Sequence, residues 1–401
     1  MNAVLVAAVA LTAALALGLV LLLRTRLLRH RATATAYFAV AVAGAVLAGV
    51  WGGAGVWGGA GGWGGPPLAP APARPVAGGP LLDSLVVGGR TVPVLVVPNR
   101  PGYNLVAVGA PDAAAGTGRD RLTRGERRPG SALTWVPVEL PAGPGRVWVS
   151  TGGATAPLAV DTGRAGGAAG PAADVRGADG PECASAAAGA VVGGSTKPLS
   201  GCPADRLTEA DAAALRETVG FLAGRGARSL ALAEDGSPRG RAAAAEVRAA
   251  AARAGVSVGG PDGERRPLVV TAGWAGADTA VRDVAAGHTT AEGTYLAPWL
   301  FTAPLLSPSA GQLIALRYAP NGPAAVEYLA ALGSRLPGEV ATAAGYEAWR
   351  AARGAAGPAP ARLYATAVLY VPGSAGGHHH EESTSWLPSG MIVPVAPLGT
   401  A

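Results

Sequence analysis

The chain has 401 residues, 49% of them hydrophobic, which is long enough for two or three domains with cores of their own. Its formal net charge of +6 is spread along the sequence, with no basic stripe interleaved with aromatic residues. The composition therefore disfavours nucleic acid as a partner.

Two apolar runs near the N-terminus predict membrane-spanning helices. Ala3 to Leu23 is uncharged and 21 residues long, enough to cross a bilayer, and Ala32 to Val50 is nearly as long. Arg24 to Arg31 carries four arginines and is expected to stay in the cytoplasm, which places everything after the second run outside. A start at Arg24, with the second run as a cleaved signal, would export the remainder equally.

These features assign residues 1–53 to two transmembrane helices and residues 54–80 to a linker rich in Gly, Trp and Pro. Tryptophans occur every six residues from Trp51 onward, across the start of this linker. The indole rings of Trp51 and Trp57 suit the headgroup layer. Its proline-rich end is expected to be extended. A second linker, rich in Gly and Ala, is assigned to residues 163–181.

Residues 81–162 are predicted to form a small all-β, immunoglobulin-like sandwich. Six short apolar or alternating segments are separated by Gly, Pro, Asn and Asp turns. The segments are LLDSLVV, TVPVLVV, YNLVAV, LTWVPVEL, GRVWVS and PLAVD. No His, Met or Cys lies among them, so the domain offers no copper ligands. The arginine-rich stretch from Arg119 to Arg128 is expected to be a solvated loop.

Two stretches of this β domain resemble a known family. VVPNRPGYNLVAVGAP (Val96 to Pro111) and WVPVELPAGPGRVWVSTGG (Trp135 to Gly153) look like the extracytoplasmic β-domains of copper-resistance and related membrane proteins of actinobacteria. The resemblance implies a spacer or interaction module. Arginine supplies nearly all the positive charge, with lysine only at Lys197, and this preference also indicates a GC-rich genome of that kind.

Residues 182–401 are predicted to form an α/β domain. Ser229 to Ala233 is an apolar run that fits a buried strand. Ser237 and Pro238 then stand where an N-cap and a first helical residue belong, and the alanine-rich stretch Arg239 to Ala254 follows as a helix. A second apolar stretch, Val256 to Val258, completes a strand–helix–strand unit, which requires a parallel sheet.

The alternation continues along the chain and predicts a layered α/β structure. Predicted helices are Glu209 to Ala223, Ala277 to Ala286, Pro323 to Arg335 and Ala343 to Arg353. Predicted strands are Pro267 to Ala272, Leu313 to Tyr318 and Arg362 to Val371.

Three segments of this domain resemble the second lobe of type 1 periplasmic binding proteins, the branched-chain amino-acid receptor kind. They are ALAEDGSPRGRAAAAEVRAAAARAGVSV, APWLFTAP (Ala297 to Pro304) and GYEAWRAAR (Gly345 to Arg353). The resemblance covers about Leu207 to Val371, which has room for little more than one of the two lobes. It implies a partial, periplasmic-binding-protein-like parallel sheet.

In such receptors the ligand sits at the carboxyl ends of the strands. The resemblance therefore implies a ligand-binding site formed by Asp235, Ser237 and Arg239 after the first strand, and by Gly273 and Trp274 after the second. A helix N-terminus there could bind a carboxylate through its backbone N–H groups. The alternative is that Ser237 is only a cap and Trp274 only packing.

Near the C-terminus, a glycine-flanked loop carries a candidate metal site. His378, His379 and His380 are followed by Glu381 and Glu382, and imidazoles and carboxylates this close could hold Zn, Cu or Ni. The alternative is a solvated polar loop.

Cys183 and Cys202 are the two cysteines of the chain, and they lie outside any CxxC or other zinc spacing. In an oxidising compartment we expect them to form a disulfide. In the chain-entropy model this cross-link contributes about 3 kcal/mol.

The sequence contains no GxSxG, GxxxxGK[ST], HExxH or N-x-[ST] motif and no paired acid and base at an interpretable spacing, so no enzyme is predicted. We expect an integral membrane protein with most of the chain extracytoplasmic. It would bind or sense a small molecule or amino acid, with a membrane protein as a further candidate partner. The alternative is an accessory protein for handling Cu, Zn or Ni, or for natural-product biosynthesis, that uses the His378 to Glu382 loop; a divalent metal is the cofactor this would imply.

Overall fold

The computed structural model describes residues 76–164, 180–307, 311–355, 357, 359–368, 385–387 and 390–399. All of them belong to one compact unit, Ala73–Ala401. The predicted spans within residues 1–53, and the histidine loop at residues 378–382, lie outside the described residues. No helix within the described ranges is long and apolar enough to cross a membrane.

Nine strands in two antiparallel sheets form the N-terminal part of the unit. One sheet has the order β1-β2-β3-β7-β6 and the other the order β5-β4-β8-β9. The strands are β1 (Leu81–Val87), β2 (Arg90–Val97), β3 (Gly102–Val108), β4 (Ala114–Gly118), β5 (Arg121–Arg124), β6 (Glu126–Arg127), β7 (Thr134–Leu140), β8 (Pro144–Thr151) and β9 (Ala154–Asp161). Each of the six predicted segments forms a strand.

Alternating valines hold these two sheets against each other. Val94 and Val106 from one sheet and Val147 and Val149 from the other are fully buried in one core. Side chains of a strand alternate between faces, so the intervening residues of β8 face outward. The immunoglobulin-like assignment and the resemblance to copper-resistance β-domains stay predictions.

The arginine-rich stretch from Arg119 to Arg128 departs from the predicted loop. It comprises the turn of the β4–β5 hairpin, the strand β5 and the short β6, and its last residue, Arg128, is buried. Its guanidinium lies 4.3 Å from the centre of the Trp135 ring and pairs with Glu339. The expectation of a solvated loop is wrong at Arg128, because an arginine can be buried where a carboxylate and an aromatic face both receive it.

The α/β part contains a seven-stranded sheet of order β11-β10-β12-β13-β14-β15-β16. Its first five strands run parallel to one another. Strand β15 pairs antiparallel with β14, and β16 pairs antiparallel with β15. The strands are β10 (Ser229–Ala233), β11 (Ser257–Gly259), β12 (Arg266–Val270), β13 (Ala291–Leu296), β14 (Gln312–Leu316), β15 (Arg362–Val368) and β16 (Gly390–Pro397).

Seven helices accompany this sheet within the described residues. They are α1 (Gly180–Val192), α2 (Glu209–Gly224), α3 (Pro238–Arg253), α4 (Trp274–Ala285), α5 (Ala303–Leu306), α6 (Pro323–Arg335) and α7 (Ala343–Ala352). Short 3-10 turns occur at Pro203–Asp205 and Pro298–Leu300. The predicted strand–helix–strand unit is present as β10, α3 and β11, and the Ser237 hydroxyl caps α3 by accepting the Gly240 N–H at 3.0 Å.

Four elements of the α/β part have no counterpart in the sequence-based prediction: α1, β13, α5 and β16. The first is rich in alanine and almost wholly buried, so it has no polar face to mark its period. It packs so closely on α7 that a Cβ on Gly189 would stand 1.9 Å from the Gly345 carbonyl oxygen. The predicted disulfide between Cys183 and Cys202 is confirmed and ties α1 to the turn at Pro203–Asp205.

The β sheets and the α/β part share buried contacts. Leu95, Leu133 and Trp135 belong to the same apolar cluster as the residues of the seven-stranded sheet. Glu339, whose side chain is 1% exposed, accepts hydrogen bonds from Arg128, from the Ser131 hydroxyl at 3.0 Å and from the Trp135 indole at 3.3 Å. A single buried carboxylate thus joins the two parts.

Candidate functional site

The strand order of the sheet marks a crevice at the carboxyl ends of β10 and β12. From β10 the chain adds β11 on one side and then returns to add β12 on the other. In open α/β sheets ligands bind at the carboxyl ends of the strands where the order reverses in this way. Asp235 follows β10 and Gly273 follows β12, so these predicted site residues flank the crevice.

Asp235 joins the loops after both strands. Its carboxylate accepts the Gly273 N–H at 2.6 Å and the Ser237 hydroxyl and N–H at 2.6 and 3.1 Å. The structure therefore brings Asp235, Ser237 and Gly273 together. A helix N-terminus was expected to bind a ligand carboxylate here, but the backbone N–H groups of Gly273 and Gly240 are already paired with protein oxygens.

Opposing effects act on the pKa of Asp235. Burial raises this pKa. The hydrogen bonds from the Ser237 hydroxyl and the two backbone N–H groups, together with the charge of Arg239, lower it by a larger amount. The net pKa lies below the ordinary value, so the carboxyl is ionised at neutral pH. It supplies the negative charge that favours the start of a helix.

Glycine is required beside this carboxylate. A Cβ on Gly240 would lie 2.1 Å from Asp235 Oδ1 and 2.8 Å from Ser237 Oγ. On the solvent side, Asp235 lines a shallow, open depression of about 600 Å³ with Glu234, Arg241 and Arg248.

The other two predicted site residues lie behind this surface. The Arg239 side chain is 3% exposed and forms an ion pair with Glu182 of α1, with one contact at 2.5 Å. Its guanidinium also stacks 4.4 Å from the centre of the Trp299 ring. Trp274 is 5% exposed and packs in the core. The charge of Arg239 is thus matched by Glu182, a residue that the sequence-based site did not include.

A second group of polar residues meets at the same edge of the sheet, and no sequence motif marks it. Asp211 lies in the first turn of α2, Arg317 and Tyr318 follow β14, and Glu347 lies on α7. The predicted strand Leu313 to Tyr318 included two of them, whereas β14 ends at Leu316. We call Asp211, Arg317, Tyr318 and Glu347 the polar cluster.

Burial and mutual charge shift the pKa values in the polar cluster. The pKa of Glu347 is raised to about 7, first by burial and then by the charges of Asp211 and Glu182, which outweigh Arg317 and Arg350. Glu347 is nevertheless an exposed residue, so water screens part of this effect.

Asp211 and Tyr318 are shifted in the same direction. Burial raises the pKa of Asp211, against the lowering effects of the Thr208 hydroxyl at 2.8 Å and of the charges on Arg239 and Arg317. Burial, followed by the charge of Glu347, raises the pKa of Tyr318 well above its ordinary value. The phenol is therefore a neutral donor at physiological pH.

Two atoms of the polar cluster are buried without a hydrogen-bond partner among the described residues: Arg317 Nε and the Tyr318 hydroxyl. The Tyr318 ring is held between aromatic neighbours, with ring centres 4.5 Å away at Tyr346 and 6.2 Å away at Phe301. Because buried polar atoms are nearly always hydrogen-bonded, these two donors favour an acceptor from beyond the described residues, such as a ligand or water.

The described part of the chain contains no candidate metal site. No group of three or more His, Cys, Asp or Glu residues there could hold a metal ion. The predicted ligands His378, His379, His380, Glu381 and Glu382 lie outside the described residues, so the metal site stays a prediction.

No protein-family model and no curated protein matches the chain. Similar solved structures include an ABC transporter substrate-binding protein from Desulfitobacterium hafniense in complex with Leu, with a TM-score of 0.27 and 14% identity over 36% of this chain and 50% of that one. A branched-chain amino acid ABC transporter protein from Thermus thermophilus with bound valine has a TM-score of 0.30 and 13% identity over 49% and 66% of the two chains. A substrate-binding periplasmic protein from Ralstonia solanacearum has a TM-score of 0.38 and 11% identity over 56% and 98%.

These neighbours are substrate-binding proteins of the periplasmic type, and the chain spans about half the length of the first of them. Similarity at TM-scores of this size does not indicate a function for the chain. Its own residues are the basis for the function proposed below.

Proposed function

We propose that the chain is an extracytoplasmic binding or sensing protein, anchored in the membrane by its N-terminal apolar runs. Its degenerate, receptor-like α/β domain takes a small polar ligand at the carboxyl edge of the parallel strands. The observation that carries this proposal is the polar cluster, where two buried donors without a partner in the described part of the chain stand beside two carboxyl groups with raised pKa values.

The chemistry of the polar cluster favours a ligand with both an acceptor and a donor. Arg317 Nε and the Tyr318 hydroxyl would donate to an oxygen such as that of a carboxylate. The carboxyl groups of Asp211 and Glu347 would receive an ammonium or hydroxyl group. An amino acid or a small hydroxy acid meets both requirements. The switch-point residues Asp235, Ser237 and Gly273 would shape the neighbouring wall.

The alternative of metal handling through the His378 to Glu382 loop rests on the sequence pattern only, as does a divalent metal as cofactor. A membrane-protein partner also stays a prediction. We propose no enzymatic activity.

A thermal-shift screen of the full chain in lipid nanodiscs tests the proposal, with amino acids, small carboxylates and Zn, Cu and Ni salts as probes. A ligand that binds only the native state at about 100 times its Kd should add about 2.7 kcal/mol. The Arg317→Gln/Tyr318→Phe double variant should lose this shift. The Arg90→Gln/Tyr364→Phe variant, which makes the same chemical changes elsewhere, should keep it.

Absence of a shift with any organic probe, or an equal shift in the Arg317→Gln/Tyr318→Phe variant, would contradict ligand binding at the polar cluster. A shift with metal that alanines at His378 to His380 abolish would instead support the metal-handling alternative.

A further inference from the structure

The outer face of the β5-β4-β8-β9 sheet carries a tryptophan among arginines. Val147 and Val149 of β8 point into the core, so Arg146 and Trp148 point outward. Their partners on β9 are small or apolar, since Ala159 lies opposite Arg146 and Pro157 opposite Trp148. This face is therefore open around the indole ring.

Further arginines from the β4–β5 hairpin extend the positive charge of this face. The Arg119 guanidinium lies 5.2 Å from the centre of the Trp148 ring. Arg124 belongs to the same outward row, because it pairs with Ala114, which pairs with Ser150 of β8. We define the Arg–Trp face by a set of four residues. These are Arg119, Arg124, Arg146 and Trp148.

Carboxylates on this sheet near the Arg–Trp face are fewer than its three arginines. Asp120 lies in the hairpin turn, and Asp161 lies at the far end of β9, whereas Glu126 lies in β6 of the other sheet. Leu122, which pairs with Gly116, adds an apolar side chain beside the charges. A positive surface with a half-buried indole and small apolar neighbours has the composition of a membrane-interface contact.

The shape of the Arg–Trp face suits an extended partner. A shallow, open depression of about 800 Å³ runs across it, lined by Thr117, Pro144, Arg146, Trp148 and Asp161 among others. A small molecule would remain largely in water there, whereas enclosed pockets bury most of a ligand's surface. A broad surface of phosphate groups would contact several arginines at once.

The chain enters the β sheets at the rim of this face. The Gly78 N–H donates to the Asp161 carbonyl oxygen at 2.9 Å, and Asp161 lines the depression. Only 25 residues, 51 to 75, separate the second predicted span from Val76. At about 3.3 Å per residue they reach at most about 80 Å, so the face would stay close to the bilayer.

We propose that the Arg–Trp face docks on the phospholipid headgroups of an anionic bilayer, with guanidinium groups on phosphates and the Trp148 indole in the interfacial layer. Arginine matches phosphate oxygens through paired N–H donors, and indole favours the boundary between hydrocarbon and water. The proposal rests on the proposed membrane attachment, because residues 51 to 75 would keep the Arg–Trp face near the lipid.

Hydrogen exchange of the full chain in nanodiscs tests the docking. Discs of phosphatidylcholine alone are compared with discs that also contain phosphatidylglycerol. We expect amides of the hairpin at residues 117–121 and of the edge strand β5 to exchange severalfold more slowly in the anionic discs. High salt should remove this protection, because it screens charges at a surface.

Two variants that each remove three positive charges provide the matched comparison. Arg119→Gln/Arg124→Gln/Arg146→Gln should lose the lipid-dependent protection. Arg90→Gln/Arg206→Gln/Arg228→Gln, which changes exposed arginines away from the face, should retain it. Equal exchange in neutral and anionic discs, or protection that survives in the first variant, would overturn the proposal.

Failure of the membrane attachment is distinguishable from failure of the docking. Flotation of the full chain with neutral phosphatidylcholine vesicles reports on the N-terminal runs alone, since docking requires anionic lipid. A chain that floats with neutral vesicles but shows no lipid-dependent protection is attached but not docked, which overturns the docking alone.

Discussion

Asp235 shows how one residue can take a position that a ligand would otherwise fill. Its carboxylate binds the N–H of Gly273 at the start of α4 and the N–H and hydroxyl of Ser237 at the start of α3. A ligand carboxylate at the switch point would have to displace this ionised group. The polar cluster differs, because its buried donors Arg317 Nε and Tyr318 OH have no partner among the described residues that a ligand would have to displace.

Replacing Gly240 by alanine should destabilise the protein by about 1–3 kcal/mol, because the new Cβ would lie 2.1 Å from Asp235 Oδ1. A loss of stability would be informative, because a Gly→Ala substitution inside a helix ordinarily stabilises the protein by about 1 kcal/mol. Urea unfolding measures the change. Gly236→Ala is the control, because nothing lies within 4 Å of its Cβ position, and an equal loss in both variants would contradict the role of the carboxylate.

Glu347 should make the native state less stable as the pH rises. Its pKa is raised to about 7 in the folded chain, against about 4.3 when unfolded. Between these values the native carboxyl keeps its proton while the unfolded one loses it. The stability that Glu347 contributes is therefore complete below about pH 4.3 and lost as the pH rises through about 7.

The Glu347→Gln variant should thus gain stability relative to the parent chain between about pH 4 and pH 8, by about 1 kcal/mol after allowance for the exposed part of the group. Urea unfolding at both pH values measures this difference. Glu264→Gln, at an exposed position, is the control. A difference between Glu347→Gln and the parent that stays constant with pH would refute the raised pKa.

At the scale of elements, α1 depends on its neighbours. Its alanines and glycines make close contact with α7 at Gly189 and Gly345, and Arg335 of α6 donates to the Val191 and Val192 carbonyl oxygens at 2.7 and 2.9 Å. The disulfide between Cys183 and Cys202 fixes the other end of the helix. A helix without a distinct polar face and with little side-chain area is held by packing and cross-linking more than by its own pattern.

Replacing both cysteines by serine should lower the free energy of unfolding by about 3 kcal/mol, because the unfolded chain regains the freedom that the 19-residue separation restricts. Urea unfolding of the double variant, and of the parent chain with and without reductant, measures this loss. The reductant should leave the double variant unchanged. A parent chain equally stable in both states would show that the disulfide contributes no stability.

At the scale of the whole molecule, Glu339 couples the β sheets to the α/β part. Glu339→Ala should cost about 3–5 kcal/mol, because it leaves the Arg128 guanidinium buried without its carboxylate. Urea unfolding followed by tryptophan fluorescence should change from one transition to two as the coupling weakens.

Arg128→Met combined with Glu339→Leu should recover much of the stability, since apolar residues of similar volume can replace a buried ion pair. Glu292→Gln, at an exposed position, should have little effect. Unfolding in a single transition with unchanged midpoint in Glu339→Ala would contradict the coupling.

Elements with local signals can be predicted from the sequence alone. The six strand segments of the β sheets follow from alternation between turn residues, and α3 follows from the Ser237 cap and an alanine-rich run. The same holds for α6, which matches its predicted bounds, and for the disulfide, which follows from two cysteines in a segment that is predicted to be exported. Each signal lies within a few residues of the element that it specifies.

Contacts between charged residues that are far apart in the sequence become visible only in the folded structure. Arg239 pairs with Glu182 and Arg128 with Glu339, while Arg317 and Glu347 come together from the loop after β14 and from α7. Nothing local marks these residues, because a charged side chain in a sequence looks the same whether it is solvated or buried against a partner far along the chain. Burial and the free energy of desolvation, which fix the roles of these groups, arise only when the sheet and its helices are assembled.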